Sequence, residues 1–137
     1  MSGTPVEVTR TGQHAFMAVN PRGGKVAIGR EDAADSFTPG ELLLAAIAGC
    51  SALTGENLLV RRLGQDAELT VRADRTKSPE EPHKFASVQV SFNYDLSGLS
   101  EPERSKLVEA VQRAVDKYCT VSRSVTEGTP VEVDLPR

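Results

Sequence analysis

Residues 39–63 carry a helix start, a long run of small apolar residues and a helix stop, and no other stretch constrains the fold as strongly. Thr38-Pro39-Gly40-Glu41 forms the start. Thr38 is an N-cap, Pro39 suits the first helical position, and Glu41 completes a capping box. Arg61 and Arg62 complement the negative end of the helix dipole, and Gly64 suits the left-handed residue just beyond it. The first half, from Leu42 to Leu53, is apolar nearly all round, which predicts burial on most sides. Ala45, Ala46, Ala48, Gly49 and Ala52 are small enough to admit close approach of a sheet or another helix. Cys50 lies in the middle of this run.

The flanking sequence alternates between strand and helix patterns. Val6 and Val8 alternate with Glu7 and Thr9, which predicts a first strand. Pro21-Arg22-Gly23-Gly24 predicts a turn joining a strand over 15–19 to one over 25–29, with a loop over 31–37 after it. Ala67, Leu69, Val71 and Ala73 form one face of a further strand. Ala86, Val88, Val90, Phe92 and Tyr94 form one face of another, across a polar, proline-containing loop over 77–83. One apolar and one polar face per strand is the pattern of an antiparallel sheet. Ser100-Glu101-Pro102-Glu103 is a second capping box. The helix it opens places Leu107, Val108, Val111, Ala114, Val115, Tyr118 and Cys119 at helical spacing. After a short segment near 121–126, Thr129 to Leu135 reads as a last strand. The order predicts a single α+β domain over residues 1–137, mainly antiparallel, with two main helices against the sheets and the long central helix buried. A chain of 137 residues suffices for one core, and with no Trp, four Phe and two Tyr that core must be mostly aliphatic.

Charge and composition exclude several functions. A net charge of -3 argues against nucleic acid as a partner. No uninterrupted run of about 18 apolar residues is present, so no membrane span is predicted. Met1-Ser2-Gly3-Thr4-Pro5 has neither the basic region nor the apolar stretch of a signal peptide, which predicts the cytoplasm, where lasting disulfides are rare. His14 and His83 stand far in sequence from each other and from both cysteines, so no metal site is predicted.

The two cysteines pose the functional question. Cys50 and Cys119 both fall on apolar helix faces, as expected of two inert buried thiols or of a redox pair. A mid-helix thiol gains nothing from a helix N-terminus, so an active thiolate at Cys50 calls for a nearby cation. Arg10 continues the even-numbered register of Val6 and Val8, and Arg30 that of Val26 and Ile28. Either guanidinium points inward if its strand continues, or into solvent if the strand ends or bulges there. Glu41 is nine residues from Cys50, about 180° around the helix and about 13 Å along it, which leaves capping as its role.

Phe37-Thr38-Pro39-Gly40-Glu41-Leu42-Leu43-Leu44-Ala45-Ala46-Ile47-Ala48-Gly49-Cys50 resembles the central-helix signature of the OsmC family, which includes the organic hydroperoxide resistance proteins. Cys119-Thr120-Val121-Ser122-Arg123-Ser124-Val125, followed by Gly128-Thr129-Pro130-Val131, resembles that family's second-cysteine segment. The resemblance implies an α+β fold in an intertwined homodimer with long central helices at its core. It implies a thiol-dependent peroxidase, an antioxidant of the oxidative stress response acting on organic hydroperoxides without metal or organic cofactor. Cys50 would attack the peroxide, Cys119 would resolve the sulfenic acid as a disulfide, and a dithiol reductant would restore both thiols. Arg10 would stabilise the thiolate, with Arg30 behind it. Gly40 stands where the hydroperoxide resistance branch has a glutamate after the proline, and Arg10-Thr11-Gly12 only loosely matches that branch's arginine context, so the chain looks closer to an OsmC-like branch. Two other functions compete: a non-catalytic protein binding a small apolar ligand, and a redox sensor that forms the same disulfide without turnover.

Overall fold

The computed structural model describes residues 4–136, so Met1–Gly3 of the N-terminal reading lie outside the described residues. In chain order the elements are β1 (Glu7–Gly12), β2 (Ala15–Val19), β3 (Lys25–Ile28), α1 (Pro39–Leu63), β4 (Thr70–Lys77), β5 (Phe85–Asn93), α2 (Glu101–Tyr118) and α3 (Thr120–Glu127). They form two antiparallel sheets, β1-β2-β3 and β4-β5, with helices following each, the expected α+β architecture. The chain divides into two compact units, Met1–Leu44 and Ala45–Arg137.

In the first unit, the β2–β3 turn is built by Asn20, whose Oδ1 accepts from the Arg22 and Gly24 amides at 3.0 and 2.9 Å. Gly23 takes φ 94°, a left-handed value that a side chain would strain. β1 is an edge strand with a register irregularity between Arg10 and Gly12. Its residues Glu7 to Thr11 are all exposed, and Val8 remains 53% exposed. Phe37 closes the loop before α1 by pairing in parallel with Ile28.

α1 has the predicted bounds, and its capping box is complete. The Thr38 amide donates to Glu41 Oε1 at 2.8 Å and the Glu41 amide to Thr38 Oγ1 at 3.1 Å. Its burial is narrower than the sequence predicts. Leu44, Ile47, Ser51, Gly55 and Leu59 form one buried stripe at helical spacing, while Leu43, Ala45, Ala46 and Leu53 are exposed. An all-round apolar helix is buried on most sides only if something covers each side, and this chain covers one.

In the second unit, β4 and β5 pair with Val71 opposite Phe92 and Ala73 opposite Val90. The core joins Leu59 of α1 to Leu107 and Val111 of α2, flanked by Leu63, Leu69, Phe92 and Tyr94. The Phe92 and Tyr94 rings meet edge to face, 6.4 Å apart. α2 carries its predicted capping box, Ser100 with Glu103, but Val108 and Tyr118 on its apolar stripe are exposed. Two expectations fail toward the C-terminus. The short segment near 121–126, read without secondary structure, is helix α3, closed by Gly128 at φ 74°. Thr129 to Leu135 forms no strand in this chain, and Val131, Val133 and Leu135 are 85%, 79% and 69% exposed. The alternating pattern is there, but among the described residues no sheet edge pairs with it.

Candidate functional site

One residue ends α2 and begins α3. Cys119 leaves the helical range at φ -75°, ψ 96°, while its amide donates to the Val115 carbonyl at 3.1 Å. Its own carbonyl accepts from the Arg123 amide at 3.0 Å, the first bond of the next helix. This break holds the Cys119 side chain at the N-terminus of α3, where it is fully buried, at 0% exposure.

Three groups surround the sulfur. Cys50, partly exposed on α1, reaches Cys119 with its side chain, and both cysteines are free thiols. Ser51 follows Cys50 on the buried stripe and is 1% exposed, with Oγ 3.8 Å from Cys119 Sγ. Ser122, one turn into α3, places Oγ 3.1 Å from the same sulfur. The thiol donates to Ser122. A serine hydroxyl rotates freely, so the same oxygen donates back once the sulfur is a thiolate. The Ser122 amide also faces the sulfur without closing a full capping bond. Burial is the largest single influence and pushes the Cys119 thiol up. The Ser122 hydroxyl, Cys50, the Ser122 amide and Ser51 together outweigh it, leaving the thiol below its ordinary range. No charged side chain enters this balance.

A cavity of about 270 Å³ adjoins the site, lined by Val115, Asp116, Ser122, Arg123, Thr126 and Glu127. A larger one, about 700 Å³, lies between Arg62, Thr70, Asn93, Tyr94 and Leu99 and contains neither thiol.

Of the two orientations open to each arginine, the structure shows the solvent-facing one. Arg10 is exposed on β1, the edge strand of its sheet, just before the register irregularity between Arg10 and Gly12. Arg30 is exposed because β3 ends at Ile28 and the chain turns, the Ala33 amide bonding the Arg30 carbonyl at 2.9 Å. Glu41 is exposed and engaged in its cap. The sequence reading missed Ser51 and Ser122. Ser51 was detectable from the stripe it shares with Ile47 and Gly55. Ser122 was detectable only had 121–126 been read as helix, since it lies three residues beyond Cys119.

Comparison with known proteins places these features in a family. Residues 31–134 match the family model described as OsmC-like protein. An uncharacterized protein of Mycobacterium tuberculosis is 36% identical over 132 residues, covering 96% of each chain. The OsmC-like protein of Mycoplasma pneumoniae superposes with a TM-score of 0.68 at 15% identity, over 93% of this chain and 89% of that one. The organic hydroperoxide resistance protein OhrB of Bacillus subtilis does so with a TM-score of 0.52 at 19% identity, over 91% and 92%. With a family model spanning most of its length and a full-length relative at that identity, the chain belongs to the OsmC-like protein family.

Proposed function

We propose that the protein is a cytoplasmic thiol-dependent peroxidase that reduces organic hydroperoxides. The observation that carries this reading is the placement of a partly exposed thiol, Cys50, beside a fully buried one, Cys119. The exposed sulfur is accessible to a peroxide, and the buried one to Cys50. The Cys50 thiolate attacks one peroxide oxygen, the O–O bond breaks, and the alcohol leaves with a proton. The Cys119 thiolate then attacks the Cys50 sulfenic acid, releasing water and forming the disulfide. A dithiol reductant returns both thiols. Arg10 is the proposed cation for the Cys50 thiolate, with Arg30 behind it. Aliphatic surroundings favour an alkyl or fatty-acid hydroperoxide over hydrogen peroxide.

The same reading proposes an intertwined homodimer. Leu43 and Leu53 on α1, Val108 and Tyr118 on α2, and the unpaired strand pattern at Val131 and Val133 are the apolar surfaces that a second copy would cover. α1 is long and apolar enough to cross a membrane on length and composition alone. Exposed Glu56 and Asn57 on its second half favour a protein partner over lipid.

The test is to add cumene hydroperoxide to the reduced protein, follow peroxide loss with dithiothreitol present, and count free thiols. Turnover that disappears in Cys50→Ser supports the proposal. Retention of both thiols with no peroxide loss overturns it, and one disulfide per chain without turnover makes the protein a sensor.

A further inference from the structure

The disulfide has two sulfurs, and a reductant can open it toward either one. Resting on the peroxidase reading, we propose that Ser122 and Ser51 hold Cys119 as the leaving thiolate, so that the reductant attacks Cys50 and the disulfide opens in one direction only.

The geometry gives two independent reasons. Thiol–disulfide exchange requires the attacking thiolate to approach its target sulfur in line, and Cys119 has no exposed surface whereas Cys50 has some. The sulfur that leaves takes the bonding electron pair, and exchange is faster when that anion is stabilised. Two hydroxyl oxygens stand at 3.1 and 3.8 Å from Cys119 Sγ, and the Ser122 amide faces it from the first turn of α3. Among the described residues no hydroxyl bonds the sulfur of Cys50; Thr54 Oγ1, one turn further along α1, donates to the Cys50 carbonyl at 2.7 Å. In the reductive step a thiolate of the dithiol attacks Cys50 Sγ, the Cys50–Cys119 bond breaks, and its electron pair goes to Cys119 Sγ. The second thiolate of the reductant then attacks its own sulfur in the mixed disulfide, releasing Cys50 as thiolate and leaving the reductant as a cyclic disulfide. Both cysteine sulfurs take up protons from solvent. Ser122 and Ser51 act through Cys119 and are positioning residues.

The charged groups nearby do not mimic this effect. Among the described residues, the influences on the Cys119 sulfur come from Cys50 and Ser51 on α1 and from Ser122 on α3, and none is a charged side chain. On α2 Asp116 and Lys117, and on α3 Arg123 and Glu127, lie around the adjoining cavity or the α2–α3 junction.

The experiment begins with protein oxidised by diamide, so that peroxide chemistry plays no part. Limiting 2-mercaptoethanol is added, the reaction is quenched in acid, and peptide mass spectrometry locates the mixed disulfide. The adduct is expected on Cys50 in at least tenfold excess. Ser122→Ala slows reduction about three- to tenfold, and Ser122→Thr restores the rate. Thiolate absorbance near 240 nm, measured in a Cys50→Ala background, titrates at higher pH with Ser122→Ala and returns with Ser122→Thr, a readout that loss of packing alone does not move. An adduct mainly on Cys119 overturns the proposal, as does a Ser122→Ala protein with unchanged reduction rate and unchanged titration. If diamide yields no intramolecular disulfide, the peroxidase reading falls as well. If the disulfide forms and the adduct is on Cys119, only the direction of opening is wrong.

Discussion

Replacing Gly55 with valine tests whether α1, α2 and β5 meet at one point beside the thiols. Gly55 lies on the buried stripe one turn after Ser51. A Cβ there would stand 3.2 Å from Val111 Cγ1 and 3.4 and 3.7 Å from Phe92 Cε2 and Cζ. Carbon atoms attract most strongly at about 3.5–4.0 Å, so even alanine requires its neighbours to move by a few tenths of an ångström. Gly→Ala in a helix interior gains about 1 kcal/mol, and the buried methyl adds about 0.8 kcal/mol. Overpacking a core costs about 1–3 kcal/mol, so Gly55→Ala is expected near neutral. Valine adds two methyls beyond that Cβ, is held stiffly at χ1, and returns roughly half of the helix gain. The net cost expected for Gly55→Val is about 2–3 kcal/mol, at the upper end of overpacking. With an unfolding entropy of about 2.1 cal/mol/K per residue, a chain of 137 residues loses roughly 7–10 °C in Tm. Urea and thermal melts followed by far-UV circular dichroism measure this, at one fixed protein concentration because self-association shifts apparent stability. A valine variant as stable as the parent chain would refute the close approach.

Three further outcomes are expected. Leu59→Ala, at a side chain 1% exposed in the core, costs about 2–5 kcal/mol in the same melts. A loss under about 1 kcal/mol would place Leu59 outside the core. Hydrogen bonds from the Ser100 backbone and side chain hold Glu103 below its ordinary carboxylate range. The lowered folded value means that this cap's contribution is complete above about pH 4.5 and lost as pH falls from there through the lower value of the folded state. Glu103→Gln should flatten that part of the acid limb, and an unaltered limb would contradict the role. For the proposed homodimer, Val131→Asp combined with Val133→Asp should shift the sedimenting species from dimer to monomer, and a dimer unchanged by the pair would place this segment outside the interface.

How legible the fold was depended on whether local chemistry decided it. Both helix starts are fixed within four residues, by Thr38 with Glu41 and by Ser100 with Glu103, and both were readable because a capping box closes on itself. The β4 face was readable because alternation needs only one covered side, whereas on β5 Val88 and Phe92 are half-buried but Ala86 and Val90 of the same face are exposed. The side chains at Val108, Tyr118 and Leu53 were misread because an apolar stripe says that a face wants cover without saying which molecule supplies it. Val131 and Val133 show the same ambiguity in strand form. Helix α3 escaped notice because its eight residues include four Ser or Thr, poor helix formers. What makes it a helix is the break at Cys119 and the left-handed Gly128, two end signals around an unpromising middle. Missing α3 hid Ser122, and with it the better part of the chemistry around Cys119.

That chemistry implies a difference between the two sulfurs that salt should reveal. The sequence directs attention to a cation, Arg10, for Cys50, while the structure surrounds Cys119 with neutral donors. A guanidinium beside a fully buried thiolate would have to be desolvated with it, and an unpaired buried charge is costly whenever the thiol is protonated. Hydroxyls avoid that cost, because Ser122 accepts from the thiol and donates to the thiolate by rotating its proton. An exposed arginine acts through a field that about 0.15 M salt screens within about 8 Å, whereas short buried hydrogen bonds are hardly screened. The rate of Cys50 oxidation by a neutral hydroperoxide should therefore fall as salt rises from 0.05 to about 0.5 M if Arg10 supports it, and that dependence should vanish in Arg10→Gln. The Cys119 thiolate titration, read in the Cys50→Ala protein, should stay in place over the same range. A Cys119 titration that moves with salt would mean that a charge, and not the two serines, governs the buried sulfur.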